Sequence, residues 1–309
     1  MKPKALVTRK IFPEVLAYLE EYAEIEGGRK AEGLTREALR TQIADKDGLL
    51  CLLVDRIDRE IISAAPRLRI IANCAVGFDN IDLEAARERG ILVTNTPGVL
   101  TEATADLTWA LILAVARRIP QADRFAREKR FQGWELDLFL GREVSGRRLG
   151  IIGLGRIGRE VAARARAFRM DVAYHDPKPL PDEEEKALVA RYVPLDELLA
   201  GSDIISIHAS LNPETRHLIS AEKIRLMKKT AILINVARGP IVDEKALAEA
   251  LTRGEIWGAG LDVYEREPEI EARLLGLDNV VLLPHIGSAT FETRLNMAMA
   301  AARNLVQGL

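Results

Sequence analysis

Residues 149–160 read LGIIGLGRIGRE: an apolar run, glycines at 153, 155 and 158, then a helical pattern. Such a stretch leaves a buried strand, turns sharply and enters a helix, which confines the chain around it to a parallel α/β unit. Gly153 permits the tight turn, Gly155 lets the backbone approach a pyrophosphate, and Gly158 lets helix and strand pack closely. The helix start at Arg156 and Ile157 offers unpaired N–H groups to phosphates. The next strand-like run, DVAYHD, ends at Asp176, eighteen residues past Gly158. An acid about 20 residues on is what binding the adenosine ribose hydroxyls requires. A carboxylate there also repels the extra phosphate of NADP, so NAD is the expected cofactor, with NADP kept open by the nearby Lys178. A glycine turn and an ordinary surface aspartate would explain these residues separately. Strand, loop, helix and acid in one order favour the dinucleotide.

The same alternation runs along most of the chain. In the first hundred residues KALVT, GLLCLLV, LRIIANCAV and ILVTN read as strands. Helical patterns lie between them at Pro13 to Tyr22, Thr35 to Ala44, Asp58 to Ala65 and Asp82 to Glu88. That order predicts a parallel sheet covered on both faces. TEATADLTWALILAVARRI predicts a long buried helix from about Thr101 to Ile119, with Thr101 and Thr104 able to cap its start. Beyond the glycine loop, strands are expected at MDVAYHD, DIISIHA, TAILINVA, IWGAGLDV and NVVLLP, and PLPDEEEK reads as a solvated helix start. A chain of 309 residues is too long for one core. The expected fold class is therefore α/β, with two doubly wound parallel-sheet domains.

Several function classes are disfavoured. Basic and acidic residues nearly balance, 44 against 46, so no global field draws the chain to nucleic acid or to an anionic membrane. LTWALILAVA is too short to span a bilayer and runs into Arg117 and Arg118. MKPKALVTRK lacks the apolar stretch of a signal peptide. Cys51 and Cys74 each sit in an apolar run and read as buried thiols in a reducing compartment. A cytoplasmic location is expected.

Candidates for chemistry cluster where predicted strands end. VVLLPHIGSAT breaks at Pro284 and presents His285; imidazole titrates near neutral pH and suits proton donation. GLDVYEREPE offers Glu267 as an orienting partner, and INVARGPIVD presents Arg238. Each has a plain alternative as a loop histidine or a surface charge. All three follow carboxyl ends of predicted parallel strands, the edge where open α/β sheets bind ligands. Together they match what reduction of an α-keto acid requires: a hydride carrier, a proton donor and an anion clamp.

GLGRIG, NVARGPIVDEKALAEAL, GAGLDVYEREP, LPHIGSAT and, in the N-terminal half, AVGFDNIDLEAARERGI resemble the D-isomer-specific 2-hydroxyacid dehydrogenases over nearly the whole chain. The resemblance implies two Rossmann-like domains with the active site in the cleft between them. Residues 1–99 plus 287–309 would form a flavodoxin-like substrate-binding domain and 100–286 the NAD-binding domain. It implies that His285 is the acid–base histidine, Glu267 its carboxylate partner, and Arg238 the arginine holding the substrate carboxylate and carbonyl. It further implies that Val76 and Gly77 bind the carboxylate through backbone N–H groups, that Asp262 contacts the nicotinamide side of the cofactor, and that Thr104 is a cofactor contact. Leu52 and Leu53 are either pocket-lining or core leucines, the core being the plainer reading. A homodimer is implied, built on the long helix and the segment after it to about Ser145.

Within the family, IANCAVGFDNID and TNTPGVLTEATADL resemble the glyoxylate/hydroxypyruvate reductases most. The expected reaction is therefore NAD(P)H-dependent reduction of a short 2-keto acid to the D-2-hydroxy acid. Phosphoglycerate dehydrogenases usually carry an arginine near the position of Asn73, and phosphite dehydrogenases a lysine where this chain has Val76. NAD-sensing corepressors that resemble the family form a third alternative, but this chain lacks the long flanking tails expected for partner recruitment. Family chains usually run on past NLVQGL to a tail that packs back on the N-terminal domain. A chain ending at Leu309 is expected either to have a less well anchored domain or to be a trimmed form.

Overall fold

The computed structural model describes residues 2–309. The chain folds as two compact units, one of Met1–Leu100 with Ser288–Leu309 and the other of Thr101–Gly287. The first contains strands β1 (Lys4–Val7), β2 (Glu24–Gly27), β3 (Gly48–Cys51), β4 (Ile70–Asn73) and β5 (Leu92–Thr94), ordered β2-β1-β3-β4-β5. The second contains β6 (Arg148–Ile152), β7 (Asp171–His175), β8 (Ala190–Tyr192), β9 (Ile204–Ile207), β10 (Ile232–Asn235), β11 (Gly258–Leu261) and β12 (Val280–Leu282), ordered β12-β11-β10-β9-β6-β7-β8. Every pairing between these strands is parallel. The first order is that of flavodoxin-like sheets; the second is the dinucleotide-binding order with one more strand beyond it.

Continuous apolar runs become strands here because both sheet faces are covered. In β3, Leu49 and Cys51 face one core cluster while Leu50 faces the other. Helix Phe291–Gly308 closes the second of these with Met297, Ala301 and Leu305. In the second unit, Leu149 and Ile151 of β6 pack with Val161, Ala162 and Ala165 of helix Arg156–Ala165. Helix Thr101–Ala116 lies on the same face, against that helix and β10–β12. Trp109 stacks on Phe168 with centroids 4.5 Å apart.

The structure corrects several boundaries. The long helix ends at Ala116, not Ile119: Arg118 takes a left-handed conformation (φ 53°) and a new helix starts at Ile119. Pro120 has no N–H to donate to Ala116 O, and Arg142 N occupies that oxygen at 2.8 Å. Thr104 does not cap the helix; it lies a turn inside, buried, and its hydroxyl donates to Gly287 O at 3.2 Å. Thr35, Asp58 and Asp82 stand just outside their helices as N-caps, accepting from Ala38, Ile61 and Ala85 N. Leu53 is not a core leucine. Asp55 accepts Leu52 N at 2.9 Å and turns the chain after β3, which leaves Leu53 half-buried in the turn. Sequence reasoning missed β2 and β8, two of the four edge strands. Short and carrying charged residues, they lack the apolar runs of the central strands.

Candidate active site

The glycine loop has the shape a pyrophosphate needs. Gly153 sits at φ +90°, and a Cβ there would lie 2.6 Å from Ala209 N. A Cβ on Gly158 would lie 2.3 Å from Gly153 O, so only glycine lets helix and strand come this close. Gly155 faces open space: no atom lies within 4 Å of where its Cβ would be. It is the N-cap of helix Arg156–Ala165 and supplies no side-chain cap, so the first N–H groups, around Arg156 and Ile157, stay available to an anion. Asp176 directly follows β7, and its Oδ2 accepts Leu154 N at 2.8 Å. The acid is thereby tied to the loop, and its other oxygen can meet a ribose hydroxyl. These residues fit a dinucleotide.

His285, Glu267, Asp262 and Thr104 are brought together at the ends of β11 and β12. His285 Nδ1 lies 2.8 Å from Glu267 Oε2, and the two side chains are only 24% and 29% exposed. Glu267 Oε1 accepts Tyr264 N at 3.1 Å, which fixes the carboxylate from behind. Burial pushes the Glu267 carboxyl up. The hydrogen bond and charge of His285, with the Arg238 guanidinium, outweigh this and hold it below the ordinary value. His285 itself is left-handed, at φ 55°. Asp262, 0% exposed, maintains that turn by accepting Ile286 N and Gly287 N, each at 2.7 Å. Burial raises the Asp262 carboxyl above its usual range even though both N–H donors and His285 pull it down. Tyr264 adds a further tie, donating from its hydroxyl to Leu283 O at 2.8 Å.

Arg238 follows β10, and its charge reaches Glu267. Its backbone carbonyl accepts Asn235 Nδ2 at 2.9 Å, and its Nη1 donates to Ala237 O at 2.8 Å. Gly239 next to it packs on the Tyr264–Glu265 backbone, where an added Cβ would lie 1.9 Å from Tyr264 C.

Val76, Gly77 and Leu53 belong to the first unit, on two loops joined by amide side chains. Asn73, 0% exposed, donates to Gly77 O at 2.8 Å and to Asn80 Oδ1 at 3.1 Å. Asn80 in turn donates to Leu52 O at 3.2 Å and Asp55 O at 3.0 Å, and Asn95 to Val76 O at 2.8 Å. With their carbonyls drawn to these amides, Val76 and Gly77 form a braced loop.

Residues 109–287 match the D-isomer specific 2-hydroxyacid dehydrogenase, NAD binding domain. The chain belongs to that family. A glyoxylate reductase of Thermococcus onnurineus is 50% identical over 310 residues, covering 99% of this chain and 92% of its own length. A crystal structure of a Thermus thermophilus protein superposes with a TM-score of 0.91 at 46% identity, covering 99% of this chain and 96% of that one. An NADPH-dependent glyoxylate/hydroxypyruvate reductase from Sinorhizobium meliloti, solved with NADP and malonate, has a TM-score of 0.86 at 36% identity over 99% of this chain and 93% of its own. As a 2-hydroxyacid dehydrogenase, the protein works on a small hydroxy- or keto-acid with a nicotinamide dinucleotide.

Sequence reasoning missed the brace of this dehydrogenase. Asn80, Asn95, Tyr264 and Glu244, which accepts Glu265 N and Glu271 N, carry no motif of their own, and Asn73 drew notice only for not being arginine. Glu244 in VDEKALAEAL reads as the ordinary acid of a helix's first turn. A second histidine–carboxylate pair, His217 Nε2 to Glu265 Oε1 at 2.9 Å, was equally invisible, since 48 residues separate its members. Among the described residues no group of three or more His, Cys, Asp or Glu side chains could hold a metal, and no helix is long and apolar enough to cross a membrane.

Proposed function

We propose that the protein reduces glyoxylate, hydroxypyruvate or a similar short 2-keto acid to the D-2-hydroxy acid, with NADH as the preferred donor. The observation that carries this reading is the His285–Glu267 pair at the carboxyl edge of a dinucleotide-binding sheet. The reductase names of the relatives support the substrate class. The glycine loop and Asp176 would hold the dinucleotide, which when bound supplies hydride to the substrate carbonyl carbon.

The chain's own residues do the rest. Arg238 pairs with the substrate carboxylate and polarises the carbonyl. The braced Val76–Gly77 loop is a carboxylate-binding loop through its backbone N–H groups. With Nδ1 held by Glu267, His285 presents Nε2 and gives its proton to the carbonyl oxygen as the alcohol forms. Glu267 stabilises the imidazolium before transfer and fixes the plane of the ring. Asp262 holds the turn that carries His285 and borders the nicotinamide end of the site, with Thr104 beside it through Gly287.

We also propose a cytoplasmic homodimer. Phe131, Trp134, Leu136 and Leu140 lie on the segment after helix Ile119–Arg127 and are 61–80% exposed. Large apolar side chains left in water on one arm fit a second copy of this chain. Trp134→Asp should shift a dimer toward monomer in light scattering; a monomeric parent would refute the dimer. The cytoplasmic reading rests on Cys51 and Cys74, both buried and unbridged.

A substrate panel tests the activity. NADH oxidation should be fastest with glyoxylate or hydroxypyruvate and slow with 3-phosphohydroxypyruvate, and phosphite should not drive NAD reduction. Cofactor binding without turnover on any keto acid would overturn the enzyme reading.

A further inference from the structure

Glu244 opens helix Glu244–Thr252 and is 7% exposed. A buried carboxylate at a helix start ordinarily caps its own N–H groups. Here Asp243 does that, accepting Ala246 N at 2.9 Å. Glu244 reaches away from the helix instead: Oε2 accepts Glu265 N at 2.6 Å and Oε1 accepts Glu271 N at 2.7 Å. These two amides bracket Glu267. Both carboxylate oxygens are therefore committed to the two sides of the loop that presents the partner of His285.

We infer that Glu244 is a positioning residue for the proton donor: it clamps loop 265–271 so that Glu267 meets His285 Nδ1. The inference rests on the reading of His285 and Glu267 given above. Charge-assisted bonds to backbone N–H groups are short and directional, so the clamp fixes the loop more firmly than packing alone. Gly239 adds a backbone contact at the start of the loop, its missing side chain admitting the Tyr264–Glu265 backbone beside Arg238. Glutamine at position 244 keeps the volume but can accept at only one oxygen, and its amide group would oppose the other N–H. The charged and titratable groups around the clamped pair and on its loop are Arg238, Asp262, Tyr264 and the His217–Glu265 pair, whose glutamate also gives its N–H to Glu244.

The test compares Glu244→Gln, Glu244→Asp, Glu267→Gln and Asp243→Ala in the full-length enzyme. Reductive kcat/KM with glyoxylate is measured across pH, alongside NADH affinity and Tm. Glu244→Gln should lose about 10- to 100-fold in kcat/KM, as misplaced catalytic groups do. Its alkaline limb should move to lower pH in the same direction as that of Glu267→Gln, with NADH affinity near parental. Asp243→Ala loses a helix cap without touching the loop, so its Tm should fall while its pH profile stays parental. If Glu244→Gln fails to fold, Glu244→Asp, which keeps the charge but shortens the reach, should show the same displaced limb. A parental profile in the Glu244 variants beside a displaced one in Glu267→Gln would overturn the clamp and leave the dyad standing. A parental profile in Glu267→Gln would overturn both. A displaced profile in Asp243→Ala would mark the effect as general loosening and overturn the clamp.

Discussion

Glu267 Oε2 and His285 Nδ1 are 2.8 Å apart although eighteen residues separate them in the chain. A carboxylate in contact with an imidazole favours the charged ring, and reduction needs that form. Glu267→Gln keeps the shape and removes the charge, so its reductive kcat/KM should decline at lower pH than the parent's while activity at acidic pH changes less. His285→Gln should lose about 10²- to 10⁴-fold at every pH with cofactor still bound, the usual contribution of a general acid. Superimposable pH–rate profiles of parent and Glu267→Gln would refute the pairing.

The same pair shapes stability in acid. The folded state holds the Glu267 carboxyl below its ordinary value. The stabilisation is therefore complete above the unfolded value, about 4.3 for a glutamate, and is lost as pH falls through the lower folded value. Asp262 acts oppositely: its raised carboxyl makes the ionised form costly, and that cost is relieved on acidification. The Tm gap between parent and Glu267→Gln should narrow as pH falls below about 4. A gap that widens in acid would show that Glu267 does not carry a depressed value.

Asp176 is tied to Leu154 N, and its proposed role is to bind the ribose. Asp176→Ser removes the carboxylate from both. Utilisation of NADH should fall about 10- to 100-fold, the loss of one charge-assisted hydrogen bond, while use of NADPH improves because a negative charge no longer repels its phosphate. The kcat/KM values for the two cofactors decide this, and a parent enzyme that already prefers NADPH would remove the role given to Asp176.

Arg238→Lys retains a charge and loses the planar fork that grips a carboxylate at two points. A loss of about 10- to 100-fold in kcat/KM for keto acids is expected, the value of one charge-assisted bond, with NADH affinity nearly parental. Equal losses in both would mean that Arg238 serves the fold.

What the sequence determined by itself is whatever follows from local pattern. The glycine spacing at 153, 155 and 158, the acid at 176 and the apolar runs each state a backbone requirement within a few neighbouring residues. From these the parallel sheets and the dinucleotide loop can be read, and His285, Glu267 and Arg238 stand out by following strand ends. Edge strands β2 and β8 escaped because EIEG and ARY are short, carry charged residues and leave most of their side chains in or near solvent, so neither forms an apolar run. Only the tertiary structure decided which of these groups touch. Parallel strands from distant parts of the chain end at one edge, so Glu267 meets His285, Asp262 meets the turn after it, and Glu244 meets both sides of a loop more than twenty residues on. A hydrogen bond across such separations leaves no period in the sequence. Its members are ordinary acids and amides until the sheet brings their partners within 3 Å.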